Sequence, residues 1–538
     1  MWHMIPLNVA AAQSSTISVE PRPPQERTMP LDSISRRDFM TLTTVGIAGA
    51  LSLGASSSAQ AGREEWDPDK PPIRTGKPLT VQPILMYQVA VKRPATSWKS
   101  WGAVQSEEAA GKEAAAIAQE LNMQAARADF RVRILPVVAV RSLEQAAEVH
   151  KNDYDAVIVY AAGGSGDLLR ACWAPKKDRD TILFVRCRSG PAYYWYEALS
   201  TRYLQTGQPD SPRPSRLDHG GVHVDDVVVD DYDELMWRLR GLYALKNFLG
   251  ARIVALGGPW GKYSPEAPQV ARDRYGFEIV DVSYEDIASR IQAARQDRDL
   301  TARMEQWADK YLALPNTTLE TDKAFIVNTF LLYGLFKDLM REHNAPAFTI
   351  RGCMGTILPM AQTTACLALS LLNDEGVMAF CESDFVIIPA GILLHYTCGR
   401  PVFLHNSTFP HDGIVTCAHC TAPRRLDGTH YEPGRILTHY ESEYGAAPKV
   451  EMPVGRQVTF IDPEYSTGRW LGFTGVVKSN PFYDICRSQQ DVEIQGDWRK
   501  LLNEVRDSHW VMAYGNHLRP LAYAARKIGI QWLDLSQS

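Results

Sequence analysis

The sequence predicts an α/β protein: two Rossmann-like α/β units followed by a C-terminal α+β domain containing an antiparallel β region. Three observations point there. Short β-type runs alternate with helical runs between residues 81 and 296, the pattern of parallel βαβ units. Residues 450–477 carry alternating β-type residues, with turns at Pro453, Asp462-Pro463 and Ser466-Thr467-Gly468, as antiparallel strands do. The 538 residues exceed what one hydrophobic core holds, so about three or four domains are expected.

Residues 1–61 read as an export signal. Ser33-Ile34-Ser35-Arg36-Arg37-Asp38-Phe39-Met40 precedes an uncharged run and a small-residue stretch ending Ala59-Gln60-Ala61. A paired arginine, a modest apolar region and an A-x-A site are the parts of a twin-arginine signal. The twin-arginine export machinery is then a partner, and the location periplasmic or otherwise extracytoplasmic. A start at Met29 instead of Met1 would put the arginine pair near the N-terminus.

Residues 62–79 are polar and Pro-rich and read as a linker. Residues 80–207 form the first α/β unit, with strands at 81–87, 131–140, 156–160 and 181–185 and helices at 106–128 and 142–151. The loop Gly163-Gly164-Ser165-Gly166 lacks dinucleotide spacing and reads as a tight turn or a loop lining a pocket. Residues 208–345 form the second unit and a helical bridge. Helices are expected at 233–249, 269–275 and 284–296, strands at 252–256 and 278–282, and mostly helix over 300–343 with a break at Pro315-Asn316. The loop from Gly257 to Lys262 lacks the Walker spacing, because Tyr263 stands where Ser or Thr is needed, so it reads as a structural turn. The C-terminal domain spans 346–538. It begins with a strand at 347–351, a helix at 360–372 and a strand at 376–381, and ends with helix 497–506, strand 510–514, helix 518–527 and strand 530–533.

The formal net charge of −5 offers no broad basic surface, which argues against nucleic acid as the main partner. No apolar run of ~20 residues occurs in the body, so no integral membrane domain is expected. The nine cysteines are an odd count, mostly in apolar surroundings, and most of them read as buried free thiols rather than a disulfide framework.

The chemistry concentrates near Glu382 and Asp384, two costly carboxylates between an apolar strand and a long apolar run. In a straight strand both side chains face one way and can share a hard divalent cation, or divide metal binding from proton transfer. Equally, acidic residues here can open a helix over the residues that follow. Cys417 and Cys420 enclose His419, as in some zinc sites. No second cysteine pair stands at zinc-ribbon spacing, so they read as pocket-lining groups or a core thiol pair. His430 and His439 lie in a polar segment and read as loop or surface groups. His509 stands at the edge of an apolar strand.

Three segments together resemble the L-fucose isomerase / L-arabinose isomerase superfamily, particularly its fucose isomerase-like C-terminal domain. They are Ser370–Gly376 leading to Cys381-Glu382-Ser383-Asp384, then Pro401-Val402-Phe403-Leu404 with the loop ending Ala422-Pro423-Arg424, then Asp507-Ser508-His509 through Gly515-Asn516-His517. The resemblance covers about the last 200 residues. It implies an aldose–ketose isomerase working through an enediol with a divalent metal, Mn²⁺ foremost. Asp384, His509 and Glu382 are then metal ligands, Asp384 and Glu382 the catalytic pair, and His419, Arg351 and His517 substrate-binding groups. A further upstream acid is implied near the helix at 360–372, where this chain offers Gln362 and Thr363. A sugar or sugar-like molecule is the expected ligand, and a homo-oligomer the expected assembly. The alternative is a non-catalytic carbohydrate-binding protein on the same fold.

Overall fold

The computed structural model describes residues 65–175, 178–193, 222–464 and 468–536. The export signal and the start-site expectation lie outside the described residues, as does most of the linker's N-terminal end.

The protein is a mixed α/β structure with two parallel sheets and a closed antiparallel barrel. In the first sheet, Leu79–Met86 lies at the centre and pairs in parallel with Ala156–Ala161, which continues to Asp180–Val185 and Val227–Val229. On its other side it meets Val132–Ile134 and then Val138–Val140. One strand was expected over 131–140. The ladder breaks around Pro136, which has no N–H to donate, and its carbonyl instead accepts from Gln82 Nε2 at 2.9 Å. Both faces of this sheet are covered, as parallel sheets require. Ile158 and Tyr160 pack into one apolar cluster with Ile117 and Leu239, while Val157 and Val159 pack into another with Val149 and Leu169.

The second sheet has the order Met378–Phe380, Ala347–Ile350, Arg252–Leu256, Glu278–Val282, all parallel. It therefore draws strands from both sides of residue 346, where a domain boundary was expected. Alternation decides its packing: Ile253, Met378 and Phe380 join the cluster shared with the first sheet, and Val254, Phe348 and Ala379 join a separate one.

That separate cluster holds helices Arg298–Leu312 and Lys323–Glu342. Between them the expected break is a strand, Thr317–Glu320, paired in parallel with Gly434–Leu437. The helix expected over 360–372 is two, Ile357–Ala361 and Cys366–Asp374. Gln362 sits between them in the left-handed region at φ 53°, and its carbonyl accepts from Asn328 Nδ2 at 3.1 Å.

The barrel runs Gln457–Glu464, His509–Tyr514, Phe403–Ser407, Ile414–His419, Ser488–Gln495, Arg469–Ser479, and closes where Arg469–Ser479 pairs back to Gln457–Glu464. Its interior is aromatic: Phe460 stacks on Phe473 with ring centres 4.7 Å apart, and Trp510 meets Phe473 edge-on. The last strand, Gln531–Asp534, adds to the barrel in parallel. No described helix is long and apolar enough to cross a membrane.

Candidate functional site

In the second sheet, three strand C-termini point toward one end of the barrel, the place where parallel sheets carry ligands. Strand Arg252–Leu256 leads to the loop with Trp260 and Lys262, strand Ala347–Ile350 to Gly352 and Cys353, and strand Met378–Phe380 to Glu382 and Asp384. The barrel supplies Asn406, His419 and His509, whose strands are neighbours: Asn406 pairs with His509 on one side and with Ala418 on the other. A cavity of about 730 Å³ lies between, lined among others by Glu382, Asn406 and His419.

Glu382 and Asp384 do not sit in a straight strand. The strand ends at Phe380, and Glu382 and Ser383 both take left-handed backbone, at φ 65° and 51°. Two consecutive non-glycine residues there are costly and are held by surrounding contacts. Trp260 N–H donates to the Ser383 carbonyl at 3.1 Å, and Phe385 N–H donates to the Trp260 carbonyl at 2.8 Å. Ser383 N–H donates to Thr349 Oγ1 at 3.1 Å.

The turn sends the two carboxylates to different tasks. Asp384 is fully buried. Its Oδ1 accepts from Lys262 N–H at 2.9 Å and Val386 N–H at 3.1 Å, and its Oδ2 faces His509 Nδ1 at 2.6 Å. The Asp384 carbonyl also accepts from Ile387 and Ile388 N–H, so the residue opens the way into helix Ile388–Cys398 as well. Glu382 reaches the cavity wall. Its Oε2 lies 3.4 Å from His509 Nε2 and its Oε1 lies 3.8 Å from His419 Nε2. Burial works against its charge, but the His419 and His509 imidazoles outweigh burial and hold the carboxyl well below the usual range. Burial likewise works against His509 as a cation, yet Asp384 and Glu382 carry its pKa up to about 9. Lys262 Nζ lies 3.3 Å from His509 Nε2, and His419 Nδ1 is 3.0 Å from Thr421 Oγ1.

The structure thus brings together Glu382, Asp384, His419 and His509. It gives Glu382 the cavity-facing place and sets Asp384 behind His509, where the two were expected to face one way. Arg351 is exposed on the rim, with its guanidinium 5.9 Å from the Trp260 ring centre. His517 stands apart at the start of helix Leu518–Lys527, its Nε2 2.8 Å from the Tyr514 carbonyl. Gln362 is outside the cavity lining. Lys262 and Asn406 were missed. The signal for Lys262 was its place in a Gly-rich loop after a parallel strand; for Asn406 there was none short of the strand register.

His439 is buried against the same cavity, not on the surface. His405, one residue from Asn406, points the other way, against Phe403 and Phe460. Burial lowers its pKa to about 3.

Glu382 offers a carboxylate oxygen and Asn406 an amide oxygen, while His509 offers Nε2 once its Nδ1–H is donated to Asp384, a carboxylate–histidine pairing that fixes the tautomer.

No protein-family model matches the chain, and no curated protein is significantly similar to it.

Proposed function

We propose that the protein is an exported, divalent-metal-dependent sugar isomerase that interconverts an aldose and a ketose through an enediol, with the two parallel sheets as Rossmann-like units. The observation that carries this reading is the Glu382 carboxylate, exposed to the cavity between the Nε2 atoms of His419 and His509. The export half of the reading rests on residues 33–61 alone.

Glu382, His509 and Asn406 would hold the ion, Mn²⁺ foremost. When bound, it would polarise the carbonyl and hydroxyl oxygens of the sugar. The remaining work falls to the chain. Asp384 holds the Nδ1 proton of His509 and fixes the ring. Glu382 Oε1, turned to His419, would take a proton from carbon, and His419 Nε2 would share it. Lys262 Nζ must turn from His509 Nε2, and a sugar oxygen is its next partner. Asn406, Ser407 and Thr408 line the cavity and can hydrogen-bond hydroxyls. The cavity volume lies in the range of small-molecule sites.

The test is metal analysis of the chain and of Glu382→Gln and His509→Ala, with deuterium incorporation at C2 of a panel of aldoses in D₂O. The reading expects bound Mn²⁺ and C2 exchange in the parent and loss of both in the variants. Mn²⁺ content unchanged in both variants would refute the site. Sugar binding by the parent without any exchange would leave a binding protein and overturn the enzymatic reading.

A further inference from the structure

The same cavity carries a second, chemically different cluster. Cys420, His439 and Cys486 each offer a ligand atom, and the three atoms lie within 4.8 Å of one another. Among the described residues this is the group of His, Cys, Asp and Glu side chains gathered closely enough to hold an ion. The residues come from three separate segments. Cys420 follows strand Ile414–His419, His439 follows strand Gly434–Leu437, and Cys486 lies on the loop before strand Ser488–Gln495. All three line the cavity.

We infer that Cys420, His439 and Cys486 form a Zn²⁺ site with its fourth position open to the cavity. Two thiolates and an imidazole are the donors a borderline-soft cation selects, and three protein ligands beside a cavity make an open site. This centre is distinct from the oxygen-rich one at Glu382.

The surroundings are built for it. Arg487 N–H points at Cys420 Sγ at 3.4 Å. The Cys486 loop is fixed by the buried Gln489, whose Nε2 donates to the carbonyls of Tyr483 and Cys486, each at 2.9 Å. The His439 backbone is held on both sides, donating to the Tyr444 carbonyl and accepting from Glu443 N–H, each at 3.0 Å. Around a tetrahedral Zn²⁺, with bonds of about 2.0–2.3 Å, ligand atoms stand about 3.3–3.8 Å apart. Binding releases the two thiol protons.

Cys366 packs against Cys420 and is the rival fourth ligand. The open-site assignment requires that it not bind. Cys420, His439 and Cys486 line the same cavity as Glu382 and His419.

The experiment uses the full-length reduced chain, stripped with chelator. One equivalent of Co²⁺ should give thiolate-to-cobalt charge-transfer absorption with the strong visible bands of a four-coordinate ion, and Zn²⁺ should abolish both. Cys420→Ser and Cys486→Ser should each lose the charge-transfer band, while Cys366→Ser and Glu382→Gln keep it. X-ray absorption of the Zn²⁺-loaded parent, which needs no variant to fold, should show about two sulfur and two nitrogen or oxygen neighbours. A shell without sulfur, or a band that survives both Cys420→Ser and Cys486→Ser, would overturn the site. Three sulfur neighbours, or loss of the band in Cys366→Ser, would overturn the open position.

Discussion

His509 Nδ1 stands 2.6 Å from Asp384 Oδ2, and both residues are fully buried. The pair joins the barrel to the second parallel sheet across 125 residues of chain. It leaves His509 Nε2 facing Glu382 and Lys262.

Asp384→Asn should weaken metal binding by about 10- to 100-fold, the usual cost of losing a carboxylate behind a ligand histidine. Three donors converge on Asp384, and an asparagine oxygen cannot serve all three. A stability loss of about 1–3 kcal/mol is therefore expected as well. Metal titration and thermal melting of the purified variant check the two effects; wild-type affinity would remove Asp384 from the site.

The Glu382 turn depends on a close approach behind it. A Cβ at Gly391 would lie 2.4 Å from Phe380 Cε1, in the strand that leads to the turn. Gly391→Ala should cost about 1–3 kcal/mol through overpacking, despite alanine's better helix propensity. Chemical denaturation measures it; a stabilised variant would mean that Phe380 moves freely.

Arg186 is buried between Glu113 and Glu120, at 2.6 Å from each. Glu113→Ala leaves part of that charge unpaired and should cost about 3–5 kcal/mol. Glu108→Ala removes an exposed pair with Lys112 and should change stability by less than about 1 kcal/mol. Equal effects in parallel urea titrations would contradict the difference in burial.

Asp374 supplies a pH test. Burial pushes its carboxyl up to about 7, against the lowering effect of the Arg425 N–H and the nearby arginines. Its Oδ1 accepts from Arg425 N–H at 2.7 Å, and its Oδ2 has no hydrogen-bond partner among the described residues. Between about pH 4, where the unfolded carboxyl ionises, and pH 7, the folded chain keeps a proton that the unfolded chain has lost. The contribution of Asp374 to stability therefore falls as pH rises through that window and is level above it. Asp374→Asn mimics the neutral acid, so its stability relative to the parent should climb from pH 4 to pH 7. Melting temperatures across that range check it, and a constant difference would show that Asp374 does not titrate there.

Periodicity and turn chemistry made most elements legible in the sequence, because each rests on neighbours along the chain. Alternating βα runs marked the parallel sheets, and the β-type run after residue 450 marked part of the barrel. Pro136 breaks its ladder locally, through its missing N–H. Gln362 and residues 317–320 instead redirect local patterns through contacts with distant segments, such as Asn328 for Gln362 and Gly434–Leu437 for the short strand.

The sequence by itself determined the residue types at the site: two carboxylates two apart, a histidine at a strand edge, and a cysteine beside a histidine. Only the tertiary structure decided their roles. Left-handed backbone at Glu382 and Ser383 turns the carboxylates apart, so that Glu382 meets the cavity and Asp384 meets His509. Strand pairing brings Asn406 beside His509, and loop packing gathers Cys420, His439 and Cys486. These relations depend on backbone conformation and on register between remote strands, which no local pattern of residues encodes.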